Sequence, residues 1–336
     1  MARCMRLLLV SFLAACVSAP PTRGPVGITH IEAHRGDRDL APQLWYPAAD
    51  GSATQTYAVK RVFEGVRIGR GARYAGGATP RPLIILSHGN WGTWFSQGWL
   101  ATHLVDAGYL VLSLQHPGTT AESRTTAGRI RLWDRAADVS RALDVVLADP
   151  EWGPRIDRDR IGFVGHSFGA WTGVALAGGV YHHADQLAAC RGKRDIYCRS
   201  LAEPDVGRVP LDGDGRPWAD PRIRAFALLA GGAFDGFDAE SLASISAPVW
   251  IAAAAHDEVL DPAGSDRLAA RIPGARETSY PSGHFAFVPR CNWLGRRVRK
   301  DLCRDIGPLS RGDIHDAVTR DVLGFFASSL RTEVAR

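Results

Sequence analysis

The sequence predicts an α/β domain, with a mostly parallel sheet covered by helices on both faces. Two patterns and the chain length lead there. Short apolar runs that suit buried strands recur at Leu83–Ser87, Tyr109–Leu114, Ile161–Val164, Ala225–Ala230 and Val249–Ala254. Helical periodicity fills the intervals, most clearly at Trp133–Leu147 and Gly264–Arg271, and strands that alternate with helices imply parallel crossovers. With 336 residues, 46% of them hydrophobic and 22% charged, the chain is long enough to bury one large core.

At the N-terminus, "MARCMRLLLVSFLAACVSAPPTRG" places Arg3 and Arg6 before an apolar run from Leu7 to Ala15, which reads as a signal peptide over residues 1–15. The run is too short to span a membrane as a mature helix. Leu13, Ala14, Ala15 and Cys16 resemble a bacterial lipobox, which predicts a lipid on Cys16 as the only membrane attachment; simple secretion with cleavage near Ala19 is the alternative. Residues 16–26 are then a Pro-rich tether, and 27–330 form the folded domain.

Within it, "ITHIEAHRGDRDLAPQLWYPA" alternates polar and apolar residues around a Gly-Asp turn, as an antiparallel hairpin does. Residues 51–80 are Gly-rich and aperiodic, which suggests a surface excursion. Residues 181–222 break the strand–helix alternation with two cysteines and "DGDG", and are read as an insertion that caps the site. A last helix from Gly312 to Leu330 carries Ile314, Val318, Val322, Phe325 and Phe326 on one face.

Of six cysteines, Cys4 is lost with the leader and Cys16 is taken by lipid, which leaves Cys190, Cys198, Cys291 and Cys303. An exported chain with an even number favours disulfides. Cys190–Cys198 and Cys291–Cys303 are preferred because each closes a short loop, and neither spacing makes the Cys-x2-Cys knuckle of a zinc site. The net charge of +5 comes from 40 basic and 35 acidic residues spread along the chain, so no nucleic-acid surface is expected. "RRVRK" at Arg296–Lys300 is read as a solvated helix face.

The chemistry centres on "RIGFVGHSFGAWTGVALAGG". An apolar run ends at Gly165, Ser167 stands between Gly165 and Gly169, and small residues continue as a helix from Ala170. Strand, tight turn and helix make a nucleophile elbow, whose flanking glycines avoid a collision across the turn. A serine hydroxyl needs a base, and the base a carboxylate, in the chain order Ser, acid, His. The strand from Val249 ends at "HDEVLDP", where Asp257 is the expected acid; Glu258 and Asp261 are its neighbours, and Asp235 is a weaker rival. Two of the 11 histidines follow Asp257. His284, in "SYPSGHFAF", lies in a loop that can lean over the elbow, whereas His315 falls in the terminal helix and is expected to face solvent. Backbone N–H groups of Phe168 and of Asn90, in "LSHGNWG", are the expected oxyanion donors, with Trp91 as the alternative to Asn90. His88 precedes Ser167 and is expected to buttress the loop. Trp91, Trp94, Phe95 and Trp99 line an acyl pocket or belong to the core.

The stretches "LSHGNWG", "GFVGHSFGAW", "AAHDEVLDP" and "SGHFAFVPRC" resemble the α/β-hydrolase superfamily, in particular its platelet-activating-factor acetylhydrolase and dienelactone-hydrolase-like serine esterases. With the leader, which predicts export, the resemblance implies a carboxylic ester hydrolase with a Ser167–His284–Asp257 triad, an oxyanion hole at Asn90 and Phe168, and a small-molecule substrate of the short-acyl or phospholipid-like ester class. No metal or organic cofactor is needed. The nucleophile of dienelactone hydrolase is a cysteine, which sets this chain apart from that enzyme. A serine peptidase shares the chain order and is one alternative; a non-catalytic binding module on the same scaffold is another.

Overall fold

The structure, a computed structural model, describes residues 24–58, 60–193 and 195–331. The leader, Cys16 and most of the tether lie outside the described residues. The strands, in chain order, are β1 (Val26–His30), β2 (His34–Arg35), β3 (Arg38–Asp39), β4 (Gln43–Pro47), β5 (Gln55–Tyr57), β6 (Val66–Arg70), β7 (Arg81–Ser87), β8 (Leu110–Leu114), β9 (Ile156–His166), β10 (Ile223–Leu229), β11 (Val249–Ala254) and β12 (Arg276–Tyr280). Ten of them form one sheet in the order β12-β11-β10-β9-β7-β8-β4-β1-β6-β5. From β8 to β12 every neighbouring pair is parallel. Strand β4 joins antiparallel to β8 and to β1, so the N-terminal part extends an otherwise parallel sheet.

Both faces are covered, as the buried apolar stretches of the central strands require. On one face Leu83, Ile85 and Phe163 pack against the Trp133–Ala148 and Phe168–Ala177 helices. The other buries Ile84, Val111 and Val164 against the Gly98–Asp106 and Arg311–Ser329 helices. The Arg311–Ser329 helix starts at a capping box between Ser310 and Asp313, and its buried stripe is Ile314, Val318, Val322 and Phe326 at helical spacing. The Phe168–Ala177 helix approaches the sheet closely because Gly173 has no side chain: a Cβ there would stand 2.6 Å from Leu228 and 2.9 Å from Phe163.

Two elements differ from expectation. Residues 51–80 are not wholly an excursion, since β5 and β6 add two strands beyond β1, with β6 parallel to it. They escape a period-2 reading because these short edge strands bury little, Ile68 being the fully buried hydrophobic side chain. The polar Asp157–Arg160 stretch belongs to β9 rather than to a loop. The register shifts there, pairing Pro82 with Asp157 and then Leu83 with Ile161, so the bulge takes up the extra residues.

Both disulfides form as expected. Cys190–Cys198 links the residue that ends the His183–Ala189 helix to the first turn of the Ile196–Leu201 helix, and Cys291–Cys303 closes the segment beyond β12 that carries the short helices Trp293–Val298 and Lys300–Cys303. No helix among the described residues is long and apolar enough to cross a membrane.

Candidate active site

Four strand ends build the site. At the end of β9 the chain turns into the Phe168–Ala177 helix through Ser167, whose φ of +56° lies in the left-handed region. Such a backbone is strained for a residue with a side chain and persists because its surroundings leave no alternative. A Cβ on Gly165 would fall on the Gly169 carbonyl, and one on Gly169 would fall on the Ser87 carbonyl. Gly89 is constrained as well: a Cβ there would stand 2.9 Å from that of Ser167.

His284 lies beyond β12, 117 residues from Ser167, and its Nε2 is 3.1 Å from Ser167 Oγ. Its Nδ1 is 2.8 Å from Asp257 Oδ2, just beyond β11. The pairing assigns the roles: Nδ1–H donates to the carboxylate, and Nε2 is left to accept from the serine hydroxyl. All three side chains are buried or nearly so. Burial opposes ionisation of Asp257, but the charge and hydrogen bond of His284 and the N–H groups of Leu260 and Val259 outweigh it, so its pKa lies below the ordinary value.

The other acids are occupied elsewhere. Glu258 Oε2 accepts from the backbone N–H of His284 at 2.9 Å and fixes the loop, not the ring. Asp235 is bound by Lys193 and Arg267, and Asp261 by Arg267. The Trp91 N–H donates to Thr119 O at 2.8 Å, whereas the N–H groups of Asn90 and Phe168 have no acceptor among the described residues. Two free donors therefore flank Ser167.

His88 holds the loop as expected. Its Nδ1–H donates to Gly89 O at 2.6 Å, and its Nε2 accepts from the N–H of His116 at 3.1 Å. His315 is a correction: it is only 5% exposed, stacks on Trp99 at 3.7 Å, and donates from Nε2 to Val288 O at 3.1 Å. A histidine on a helix reads as polar, yet this one shares the buried face with Ile314 and Val318.

Sequence reasoning missed a buried network below the site. Arg135, fully enclosed, donates to the His88 carbonyl, to Thr119 Oγ1 and to Thr172 Oγ1, and so ties the loop after β7 to the helix that follows Ser167. Burial lowers its pKa to about 9. Ser87 Oγ, His116 and Asp138 repeat the Ser–His–Asp pattern at 2.9 and 3.1 Å, but all three are sealed from solvent and Asp138 is further bound by Arg35 and Arg38. Burial opposes the Asp138 charge, and these hydrogen bonds nevertheless hold its pKa below the carboxylate range. The signal available was the placement of Arg135 and Asp138 on the apolar stripe of the Trp133–Ala148 helix.

Burial also keeps three histidines neutral, with pKa values lowered to about 3: His116, His166 beside the His284 ring, and His315. In the unfolded chain each takes up a proton near 6.5, and in the folded chain not until about 3. Between those values the unfolded state holds more protons, so stability falls as pH drops through 6.5, by about 1.4 kcal/mol per histidine per pH unit. Urea unfolding at pH values from 7.5 to 4.5 is expected to show this slope, and His315→Phe to reduce it by close to one proton. A slope unchanged in that variant overturns the assignment for His315.

Ser167 stands where two cavities meet. The first, of about 430 Å³, is lined by Phe63, Phe95, Ile196, Phe285 and Leu302 and includes His284 in its wall. The second, of about 600 Å³, carries Arg124, Arg129, Arg199 and Glu203, with Phe168 beside Ser167. Trp91, 51% exposed, borders both, as do Asn90 and Ile196, whereas Trp99 belongs to the core. Asn90 Oδ1 is buried without a hydrogen-bond partner.

A parallel sheet with an antiparallel N-terminal extension, helices on both faces and an elbow after the strand next to β7 define the α/β-hydrolase fold, and this chain has it. Among solved structures, a ferulic acid esterase from Streptomyces cinnamoneus is similar, with a TM-score of 0.64 and 24% identity over 94% of this chain and 93% of that one. A dienelactone hydrolase-like promiscuous phosphotriesterase from metagenomic libraries gives 0.54 and 12% over 92% of this chain and all of the other. An acylaminoacyl peptidase from Pyrococcus horikoshii gives 0.54 and 11% over 93% of this chain but only 43% of its own. No protein-family model and no curated protein sequence matches the chain.

Proposed function

We propose that the protein is an exported serine hydrolase that cleaves carboxylic esters through Ser167, His284 and Asp257. The observation that carries this reading is the continuous hydrogen-bonded line from Asp257 Oδ2 through His284 to Ser167 Oγ, ending beside two unpaired N–H groups at an open cavity. The esterase of the same fold is compatible with it.

Ser167 Oγ attacks the ester carbonyl carbon while its proton passes to His284 Nε2. The carbonyl π electrons move onto oxygen, which the N–H groups of Asn90 and Phe168 stabilise. The imidazolium, held by Asp257, then protonates the leaving alcohol oxygen as the C–O bond breaks and leaves an acyl-serine. Water repeats the sequence, with His284 as base, and releases the acid. Apart from substrate and water, the steps use groups of this chain, and short-acyl or phospholipid-like esters are the class to assay first.

A fluorophosphonate should label Ser167 alone and stoichiometrically, with turnover of esters exceeding that of peptides of matched size. Labelling elsewhere overturns the assignment, and faster peptide cleavage makes the protein a peptidase. Labelling without any turnover marks a binding module.

Export accords with the two disulfides, which persist in oxidising compartments. Residues 181–222 contribute Ile196 and Arg199 to the cavity walls, which fits a cap. Cys16 is expected to carry the lipid, so the native protein should incorporate labelled palmitate and Cys16→Ser should not. A mature chain that starts after Ala19 without label overturns this.

A further inference from the structure

We infer that the arginine-lined cavity is a subsite for an anionic acyl end, so that the preferred substrate is a mono-ester of a dicarboxylic acid with an apolar alcohol. The inference rests on the ester-hydrolase reading above.

The two cavities that meet at Ser167 differ in chemistry. In the second, three guanidinium groups, from Arg124, Arg129 and Arg199, face one carboxylate. Glu203 pairs with Arg129, Nη2 to Oε2 at 2.6 Å, which leaves Arg124 and Arg199 without an ion pair among the described residues. Arg124 is nonetheless held in place, because its guanidinium lies over the Trp91 ring at 3.7 Å to the centroid. A stacked guanidinium keeps its N–H edge free for a carboxylate, and a preordered one loses less entropy on binding. Thr125 and Thr126 add hydroxyl groups to the same wall. Uncompensated positive charge in a concavity raises the local concentration of anions.

The orientation follows from His284. This residue borders the first cavity and not the second. The imidazolium must reach the leaving oxygen, so the alcohol occupies the first cavity, whose walls are Phe63, Phe95, Phe285 and Leu302. The acyl chain then extends past Phe168 toward Arg199 and Arg124. Lys60 and the Arg299–Asp301 pair also border the first cavity, and the pair is internally neutral.

The test compares benzyl hydrogen glutarate, adipate and suberate with benzyl esters of fatty acids of the same carbon number. Active-site concentration is set by fluorophosphonate titration and benzyl alcohol release is followed. In the wild type kcat/KM should favour one of the anionic esters by at least about tenfold, and the ratio should decline with added salt as the cavity charge is screened. Arg124→Gln with Arg199→Gln should bring the ratio close to one. Equal rates for anionic and neutral esters in the wild type overturn the subsite while the hydrolase reading stands. A preference retained in the double variant removes the two arginines from the assignment and overturns the proposal. Absence of both turnover and phosphonate labelling is a failure of the hydrolase reading itself.

Discussion

Replacing Ser167 with Ala is expected to lower kcat/KM for a good ester by about 10³-fold or more, with the fold intact. In the proposed mechanism the hydroxyl oxygen forms the acyl-enzyme bond, and no other serine among the described residues combines a positive-φ turn, an imidazole at 3.1 Å and adjacent unpaired N–H groups. The second Ser–His–Asp line cannot substitute, because Ser87 is fully buried. Ala adopts the same backbone as Ser at this turn and removes one polar atom, so Tm should move by no more than about 4 °C. Ester turnover and phosphonate labelling of the purified variant are the measurements. Retention of near wild-type turnover would move the chemistry to another residue and sink the triad.

The second large effect is expected at Asp257→Asn, a loss of about 10³- to 10⁴-fold in kcat, against less than about tenfold for Asp235→Asn and Glu258→Gln. Asp257 accepts the Nδ1–H of His284, which leaves Nε2 lone-pair-bearing and able to take the serine proton. An amide that presents its NH2 to Nδ1 would favour the opposite tautomer and remove the base without displacing the ring. Asp235 serves Lys193 and Arg267 and makes no contact with the imidazole. Gln at 258 retains an oxygen to accept the His284 N–H. Steady-state kinetics of the three variants, with circular dichroism as the folding control, decide between them. Wild-type rates for Asp257→Asn together with collapse in Asp235→Asn would transfer the acid to the loop after β10.

Much of the scaffold was legible in the residues. The five apolar runs fall on β7 to β11, four of them within a residue or two and the third in chain order on the buried C-terminal half of β9, because strands buried on both faces cannot hide their hydrophobicity. Strands β5 and β6 were not legible. They lie at the sheet edge, bury mainly Ile68, and are held there by backbone hydrogen bonds to β1 and to each other that carry no side-chain signature. His315 was misread for the converse reason. Its polarity argued for solvent, but the Trp99 ring and the Val288 carbonyl together supply a buried partner for each part of the imidazole. Arg135 was overlooked because a charge is expected outside, and a sealed cluster of carbonyl and hydroxyl acceptors overrides that rule.

Sequence alone determined the elbow and the chain order of the site. Gly165, Ser167 and Gly169 meet across one turn, and such a clash is a matter of spacing within five residues. It also favoured, among the three pairings that four cysteines allow, the two disulfides that form, whose partners lie 8 and 12 residues apart and close short local loops. Only the tertiary structure decided which carboxylate faces His284, since Asp257, Glu258 and Asp261 all follow one strand and differ in the direction each side chain takes. It alone showed that Trp91 gives its N–H to Thr119 while Asn90 keeps its own free. And it alone set Arg124 and Arg199, 75 residues apart, on one cavity wall. These outcomes depend on distances between atoms remote in the chain, which follow from how the helices and loops pack over the strand ends.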